Sequence, residues 1–416
     1  MTQRMISIVC FTLAACACGD GEGRVVGGGG DAGVDSRDAR SDTSRGGADP
    51  EPNLDASATG PDGSGPTSDG GLDVSDERDT RPDAQVDAAP TGPYVLYLAP
   101  SGNDARDGLT EATAIETLTR AQELLSAASV DRDAEVRVMP GTYYGQKVTW
   151  SYTRPDHKVS FVRWPADSEQ RPVFDGCTSA GGGCPGGTWF GLRHSGGEET
   201  NLVFHYIHVR NYSTAISLNG ARDAEATSNG SNRIFGCYFE DIGNVFNSSL
   251  NPSTAAVRLV NSDDNEIINN HFVNVVNTRS GALIHAIYVA HMSDRNQILR
   301  NRFKGSTGDP VRLRDYSNDN VISDNRFIKV GTSAGYTDWY CDHEVRDDCT
   351  KPEPECPSWG NQFRDNLLDG TWACTTLPTF EYFQDATTTG CSAPSASARR
   401  LRTSGNVQHT PPCTSE

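Results

Sequence analysis

The sequence predicts an all-β fold, a right-handed parallel β-helix solenoid with an N-terminal capping helix, preceded by a disordered tether. Three observations predict it: an eight-residue frame recurs, short strands with alternating apolar residues precede the frames, and the composition changes near residue 94. We divide the 416 residues into a leader segment (1–18), a disordered acidic Gly/Asp/Ser/Pro-rich tether (19–93) and the β-helix domain (94–416). Within the domain, residues 336–413 form a Cys-rich insertion and C-terminal region.

The recurring frame is the strongest signal in the chain. Each copy starts with Asn and has an apolar residue at offset two, Asn or Cys at offset five, and an aromatic residue or Leu at offset seven. Five copies occupy residues 232–239, 265–272, 296–303, 320–327 and 361–368, with starts 24 to 41 residues apart. A recurrence in this range indicates a solenoid rather than one closed core.

The frame also indicates which solenoid forms. Offsets two and seven differ by an odd number, so a single straight strand does not point both residues inward, and the chain must bend between them. We expect the Asn at offset five to supply the bend, because Asn tolerates the left-handed conformation. Stacked coils then align Asn270, Asn301 and Asn325 as a ladder. Cys237 holds the same offset, so we expect a buried, inert thiol.

A short alternating strand precedes each frame. The apolar pairs expected to face the core are Ile216/Leu218, Val257/Leu259, Ile287/Val289 and Val311/Leu313. The outward neighbours are expected in two columns, which read Ser217, Arg258, Tyr288, Arg312 and Asn219, Val260, Ala290, Arg314.

The segment before the domain is strongly acidic. Residues 19–93 hold 17 acidic and 6 basic residues and no aromatic residue, within a chain of formal net charge −19. Such a segment does not bury a core, and its self-repulsion keeps it extended. The acidic balance argues against a nucleic-acid partner, and we expect a monomer.

The first residues indicate export. Arg4, an apolar run over residues 5–15 and small residues before a cleavage point make a secretory signal. Leu13-Ala-Ala-Cys16 resembles the bacterial lipobox, which implies that Cys16 becomes the lipidated first residue; ordinary cleavage nearby is the alternative. Ala17 does not signal inner-membrane retention in that family. The expected location is the cell envelope, lipid-anchored to the outer membrane and periplasmic or surface-exposed, with membrane contact through the anchor only.

Twelve cysteines suit an oxidising compartment. Cys177 and Cys184 enclose a Gly-rich stretch and are expected to close a local loop. The last six cysteines lie between residues 341 and 413 and are expected to form three bridges, with the connectivity open. A structural zinc site is the weaker alternative, because Cys341, Cys349 and Cys356 lack a short C-x2-C pair.

The start of the domain carries a resemblance to a known superfamily. Tyr97-Leu-Ala-Pro-Ser-Gly-Asn-Asp104, Asp107-Gly, residues 117–125 and Val136-Arg-Val-Met-Pro-Gly-Thr-Tyr143 resemble the opening of pectin-lyase-like, right-handed β-helix proteins. The resemblance covers roughly residues 94–370 and implies a helix that plugs the open end of the solenoid. The apolar helical face that suits this role consists of Leu118, Ala121, Leu124 and Leu125. The superfamily includes lyases, hydrolases, epimerases and non-catalytic proteins, so activity stays open.

The outward columns suggest a site for an acidic polysaccharide. Guanidinium groups pair with uronate carboxylates, and β-elimination needs carboxylate neutralisation, a base and an acid. The candidate catalytic residues are Arg312, Arg314, His285, His291 and Tyr288, and the candidate substrate-binding residues are Arg258, Asp309, Asp315, Trp339 and Tyr340. The segment from Asp309 to Asp315 is the most sharply polar strand.

Other interpretations stay open at this point. The column stabilises the solenoid without chemistry if Arg312/Asp315 and Arg314/Asp309 are surface ion pairs. A non-catalytic β-helix that binds a glycan or a partner protein would use the same face. The aromatics of the 336–359 insertion either stack on sugars or pack over the end of the solenoid.

Paired-carboxylate hydrolysis lacks support. Of the motifs typical of pectin-degrading hydrolases, only Asp263-Asp264 is present, and it precedes a frame as a loop pair. The sequence requires no cofactor. Calcium would suit the carboxylates of Asp342, Glu344, Asp347 and Asp348, although a solvated loop explains them equally.

Overall fold

A computed structural model describes residues 92–222, 224–249, 253–278, 280–331, 334–342, 344, 349, 355–376, 381–383, 390–391 and 400–414. The predicted signal peptide, Cys16 and almost the whole predicted tether lie outside these residues. No helix among the described residues is long and apolar enough to cross a membrane.

Short strands make up most of the regular secondary structure among the described residues. In chain order they are β1 (Tyr94–Leu98), β2 (Ala134–Val138), β3 (Thr142–Tyr144), β4 (Val148–Trp150), β5 (Val159–Arg163), β6 (Val173–Asp175), β7 (Thr188–Arg193), β8 (Leu202–His205), β9 (His208–Arg210), β10 (Thr214–Asn219), β11 (Asn229–Gly230), β12 (Arg233–Phe235), β13 (Tyr238–Ile242), β14 (Ala255–Val260), β15 (Ser262–Asp263), β16 (Glu266–Ile268), β17 (His271–Val275), β18 (His285–Ala290), β19 (Gln297–Leu299), β20 (Arg302–Ser306), β21 (Val311–Arg314), β22 (Val321–Ser323), β23 (Arg326–Val330), β24 (Tyr336–Asp338), β25 (Asn361–Arg364), β26 (Leu367–Asp369), β27 (Glu381–Phe383), β28 (Leu401–Ser404) and β29 (Val407–Gln408). The helix α1 spans Leu118–Ala128, and three 3-10 turns span Glu111–Thr113, Glu225–Thr227 and Gly281–Leu283.

Three long parallel sheets run the length of the domain. Sheet A has the order β1-β2-β5-β8-β12-β16-β19-β22-β25-β28, sheet B has β3-β6-β9-β13-β17-β20-β23-β26-β29, and sheet C has β4-β7-β10-β14-β18-β21-β24-β27. Successive coils place one strand in each sheet, as β12, β13 and β14 do. This arrangement confirms the predicted parallel β-helix.

The core is a stack of identical inward positions. Ile216, Val257, Ile287 and Val311 are fully buried on neighbouring strands of sheet C, as the alternation predicted. On sheet B the offset-seven aromatics stack, with ring centroids 4.9 Å apart for Phe239 and Phe272. Aromatic rings in this offset arrangement add packing energy beyond their buried area.

The bend inside the frame is built differently from the prediction. The left-handed residue is at offset four, where Gly236, Asn269, Arg300 and Asp324 have φ between 54° and 63°. The predicted Asn at offset five is the residue after the bend. Its side chain is needed inside the coil for hydrogen bonds, so the preceding residue adopts the left-handed backbone. At Gly236 a Cβ would also meet the Tyr206 ring at 2.6 Å.

The predicted asparagine ladder is present. Asn270 Nδ2 donates to Asn301 Oδ1 at 3.0 Å, and Asn301 Nδ2 donates to Asn325 Oδ1 at 3.1 Å. The ladder continues through Asn366 to Asn406. Cys237 lies in line with it, 2% exposed, and its backbone N–H donates to Asn270 Oδ1. Burial raises the pKa of the Cys237 thiol to about 11, in keeping with the predicted inert thiol.

A second ladder, which the prediction did not include, uses the Asn that starts each frame. Asn232, Asn265, Asn296, Asn320 and Asn361 are all buried and bonded in succession. The two ladders satisfy buried backbone groups at both turns that flank sheet A.

The helix α1 lies where the sequence predicted one. Thr117 caps its N-terminus by accepting a hydrogen bond from the Arg120 N–H. Leu118, Ala121 and Leu125 are buried and belong to the core, and Leu124 is partly buried against it. The helix contacts β1 and β4, which are terminal strands of sheets A and C.

Four disulfides are formed among the described residues. They join Cys177 to Cys184, Cys341 to Cys349, Cys356 to Cys391 and Cys374 to Cys413. The predicted local loop and the three C-terminal bridges are therefore present. Disulfides persist in oxidising compartments, so this set indicates an exported protein.

Candidate functional site

The outward face of sheet C carries the predicted column. Ser217, Arg258, Tyr288 and Arg312 are register partners on consecutive strands, and Thr337 follows on β24. We call Arg258, Tyr288 and Arg312 the sheet C triad. The second predicted column, from Asn219 to Arg314, is also in register.

Arg312 and Trp339 lie side by side at one end of the triad. Arg312 Nε donates to Thr337 Oγ1 at 3.2 Å, and its guanidinium lies 5.8 Å from the Trp339 ring centroid. Arg314 lies closer to the same ring, at 4.7 Å. Arg258, Arg312 and Trp339 are partly exposed. Cation–π contact holds both guanidinium groups beside a flat aromatic surface.

Arg314 is held by a carboxylate that the sequence prediction missed. Its Nε and Nη2 donate to the two oxygens of Glu355 at 2.6 and 2.7 Å, and both side chains are at most 10% exposed. Burial alone raises the pKa of Glu355, but the Arg314 guanidinium outweighs it and holds that pKa below its usual value. Asp309, which one alternative paired with Arg314, accepts a hydrogen bond from the Ala334 N–H on its Oδ1.

Tyr288 shares Arg314. The guanidinium Nη1 donates to the Tyr288 hydroxyl oxygen at 3.2 Å, and Tyr288 itself is 9% exposed. A hydrogen bond from a fixed cation stabilises negative charge on a phenol oxygen. Tyr288 is therefore held by the same guanidinium that binds Glu355.

His285 does not reach the surface, which corrects the prediction that it acts on substrate. It is 1% exposed and its Nδ1 lies 2.6 Å from the Asp309 carbonyl oxygen. Burial lowers its pKa well below the usual value, and nearby Arg312 adds to the shift. Its ring stacks on the Tyr288 ring, with centroids 5.8 Å apart, so His285 is buried beside the outward tyrosine.

His291 is likewise locked at the end of its strand. It is 3% exposed, and its Nδ1 lies 2.7 Å from Asp315 Oδ2. Burial lowers the pKa of His291, although its hydrogen bond to the Asp315 carboxylate opposes that shift. Asp315 also accepts from the Cys356 N–H. Asp315 thus pairs with His291, and no hydrogen bond joins it to Arg312 as one alternative predicted.

His291, Asp315 and Glu355 together form a candidate metal-ligand group. Their donor atoms lie within 4.8 Å of one another. However, the Arg314 guanidinium occupies both Glu355 oxygens, and Arg222 Nη2 lies 3.6 Å from Glu355 Oε1. A cation would have to displace these positive groups, so the arrangement suits an ion-pair network better than a metal site.

The Cys-rich insertion begins within this end of sheet C. Its first residues, Tyr336 to Asp338, form β24. Tyr340 is fully buried, so the prediction that it stacks on a sugar is wrong, and packing explains it. Trp339 keeps a partly exposed ring.

The acidic residues outside this cluster have structural roles. Asp342 is buried and its Oδ1 accepts from the Glu344 N–H, while Asp347 and Asp348 lie outside the described residues. The loop pair Asp263-Asp264 binds Arg295, whose guanidinium donates to both Asp264 oxygens.

Comparison with known proteins adds fold neighbours and no relatives by sequence. The chain matches no protein family and no curated protein sequence. Among solved structures it is similar to an alginate lyase from Paenibacillus sp. str. FPU-7, with 13% identity, a TM-score of 0.46, and coverage of 71% of this chain and 94% of that one.

Two further structures show the same kind of similarity. A rhamnogalacturonan lyase matches with 11% identity, TM-score 0.32 and coverage of 75% and 87% of this and that chain. Pectate lyase Pel9A matches with 10% identity, TM-score 0.35 and coverage of 77% and 81%. At these values the comparisons assign no activity, and the site must be judged from its own residues.

Proposed function

We propose that this protein is an exported β-helix that binds an acidic polysaccharide on the outward face of sheet C and cleaves it by β-elimination. The observation that carries the proposal is the sheet C triad: a tyrosine between two arginines, in register on three consecutive strands. Neighbouring strands lie about 4.8 Å apart, so a chain of uronates lying across them would meet a cation, a phenol and a cation in turn.

Each side chain has a defined task in this reaction. Arg258 and Arg312 pair with the uronate carboxylates and so acidify the proton at C5. The Tyr288 oxygen, held by Arg314, takes that proton. The electron pair left at C5 forms the C4–C5 double bond, and the bond from C4 to the glycosidic oxygen breaks. The leaving oxygen takes the proton that Tyr288 now carries, which returns Tyr288 to its starting state. Trp339 supplies a flat face for a sugar ring.

The test follows absorbance of the unsaturated product while the full chain is incubated with a panel of uronate polysaccharides. We expect a signal that falls at least a hundredfold in Tyr288→Phe, since general base catalysis contributes about 10²–10⁴-fold. Arg402→Ala, an exposed arginine on sheet A, serves as the matched control. Retained binding with no product from any polysaccharide would overturn the elimination step.

A non-catalytic binding function is the second candidate. It is favoured by the burial of His285 and His291, which removes both predicted imidazole bases from the surface. Under that function Arg258→Ala and Arg312→Ala weaken retention of the polysaccharide, and Tyr288→Phe changes it little.

We further propose that Cys16 anchors the protein by lipid to the cell envelope, facing the periplasm or the exterior. Support comes from the lipobox resemblance and the acidic segment that follows it. Cys16→Ser is expected to abolish incorporation of labelled fatty acid and to release the protein into the soluble fraction. Unchanged incorporation would contradict the anchor.

A further inference from the structure

Sheet B carries a second outward column that the first site does not use. Residues at frame offset six fall in register on consecutive strands, together with the equivalent residue of β9. We call this set the sheet B column: His208, Tyr238, His271, Arg302 and Arg326. All five side chains are partly or fully exposed.

The aromatic half of the column is a continuous run of rings. The centroids of His208 and Tyr238 lie 4.9 Å apart, and those of Tyr238 and His271 lie 5.9 Å apart. Burial lowers the pKa of His208 to about 4, and the charges of Arg210 and Arg171 add to the shift. Burial also lowers the pKa of His271. Both imidazoles are thus neutral at pH 7 and offer flat, uncharged faces with a polar edge.

The other half of the column is positively charged. Arg302 and Arg326 continue the line of rings, and the exposed Lys304 lies two residues after Arg302 on β20. Arg171 lies at the aromatic end, 5.4 Å from the Tyr206 ring, and donates to the Gly236 carbonyl oxygen. These cations stand out in a chain whose net charge is −19.

Two carboxylates lie beside the aromatic end of the column. Asp175 is buried and is paired with Arg210 at 2.8 Å, and Glu240 lies 3.2 Å from His208 Nε2. The cations that a ligand can reach belong to the other end, where Arg302 and Arg326 are partly exposed and Lys304 is exposed.

We propose that the sheet B column is a second binding surface, for an anionic polysaccharide that lies along the solenoid. Acidic groups of the polymer pair with Arg302 and Arg326, and its sugar rings stack on Tyr238 and His271. Evenly spaced rings and cations suit a polymer with a regular repeat. The acidic balance of the whole chain disfavours a nucleic acid. This surface does not depend on the sheet C triad.

The experiment measures binding of the full chain to polygalacturonate, alginate and the neutral polymer dextran by isothermal titration. The double variant Tyr238→Ala/Arg302→Gln is compared with the sheet C variant Arg258→Ala/Arg312→Ala. For the two charged polymers, we expect the sheet B variant to lower the affinity of one class of binding site by a factor of ten or more. The sheet C variant should leave that class intact, and dextran should bind neither.

Several outcomes would overturn the proposal. One is wild-type affinity and stoichiometry in the sheet B variant; another is loss of all binding in the sheet C variant alone. Equal affinity for dextran, or tighter binding of a single-stranded oligonucleotide than of polygalacturonate, would also contradict it. Arg302→Lys keeps the charge and should retain the binding affinity within about threefold. This control separates loss of the cation from loss of folding. Loss of binding in this variant, with an unchanged circular dichroism spectrum, would contradict the charge argument.

Discussion

Replacing one asparagine of the ladder should destabilise the domain far more than replacing an exposed residue of the same coil. Asn301 is 1% exposed and makes four hydrogen bonds. Its Oδ1 accepts from the backbone N–H and the side-chain amide of Asn270, at 2.9 and 3.0 Å. Its Nδ2 donates to the Ile267 carbonyl at 2.8 Å and to Asn325 Oδ1 at 3.1 Å.

Asn301→Ala would leave the buried Asn270 N–H without its partner, and it would remove one hydrogen bond each from the Ile267 carbonyl and from Asn325 Oδ1. An unpartnered buried group costs about 1–3 kcal/mol and a lost hydrogen bond about 0.5–1.5 kcal/mol, so the free energy of unfolding should fall by about 2–6 kcal/mol. The matched control is Gln297→Ala, an exposed residue of the same coil, which should change stability by less than about 0.5 kcal/mol.

The assay is urea unfolding followed by circular dichroism, with the transition midpoint and slope fitted separately. An unchanged slope means that unfolding exposes the same surface area in the variant and the wild type. If the free energy of unfolding then falls by less than about 1 kcal/mol, the rung is dispensable and the reasoning is refuted.

Three further outcomes are expected. Glu355→Gln removes one partner of a buried ion pair and should lower the free energy of unfolding by about 3–5 kcal/mol at pH 7. Because the pKa of Glu355 is lowered in the fold, this contribution is present above the unfolded pKa of 4.5 and is lost as the pH falls through the folded pKa. The variant and the wild type should therefore converge in acid unfolding curves. Cys237 should not react with a thiol reagent at pH 8 until urea unfolds the chain, and rapid labelling of the native protein would contradict its burial. Double replacement of Cys356 and Cys391 by Ser opens a loop with a sequence separation of 35 residues and should lower the free energy of unfolding by about 4 kcal/mol. This loss should exceed the loss on opening the shorter Cys177–Cys184 loop. Equal losses in urea titrations would contradict the loop-entropy argument.

Features encoded by local periodicity were predictable from the sequence. The Asn frame gave the solenoid and one ladder, and alternation placed Arg258, Tyr288 and Arg312 in one outward column. The burial of His285 did not follow from the alternation, because its ring packs against the outward Tyr288 and its Nδ1 lies 2.6 Å from the Asp309 carbonyl oxygen.

Features that depend on distant segments were not predictable. Glu355 reaches Arg314 from 41 residues further along the chain, and no periodic signal marks it. The burial of Tyr340 depends on how the same insertion folds. The sheet B column occupies offset six of the frame, where Tyr238, His271 and Arg302 follow the ladder residue. Its residue types differ from copy to copy, so they do not form a repeated motif.

The ladder has a direction as well as a position. Every rung from Asn270 to Asn366 donates its side-chain amide towards the C-terminal neighbour and accepts on its oxygen from the N-terminal one. The amide dipoles are therefore aligned head to tail, and each polarises the next. Cys237 ends this chain of aligned dipoles on the N-terminal side. The coils from 270 onward thus share a coupled polar column, and a break at its centre should weaken rungs on both sides.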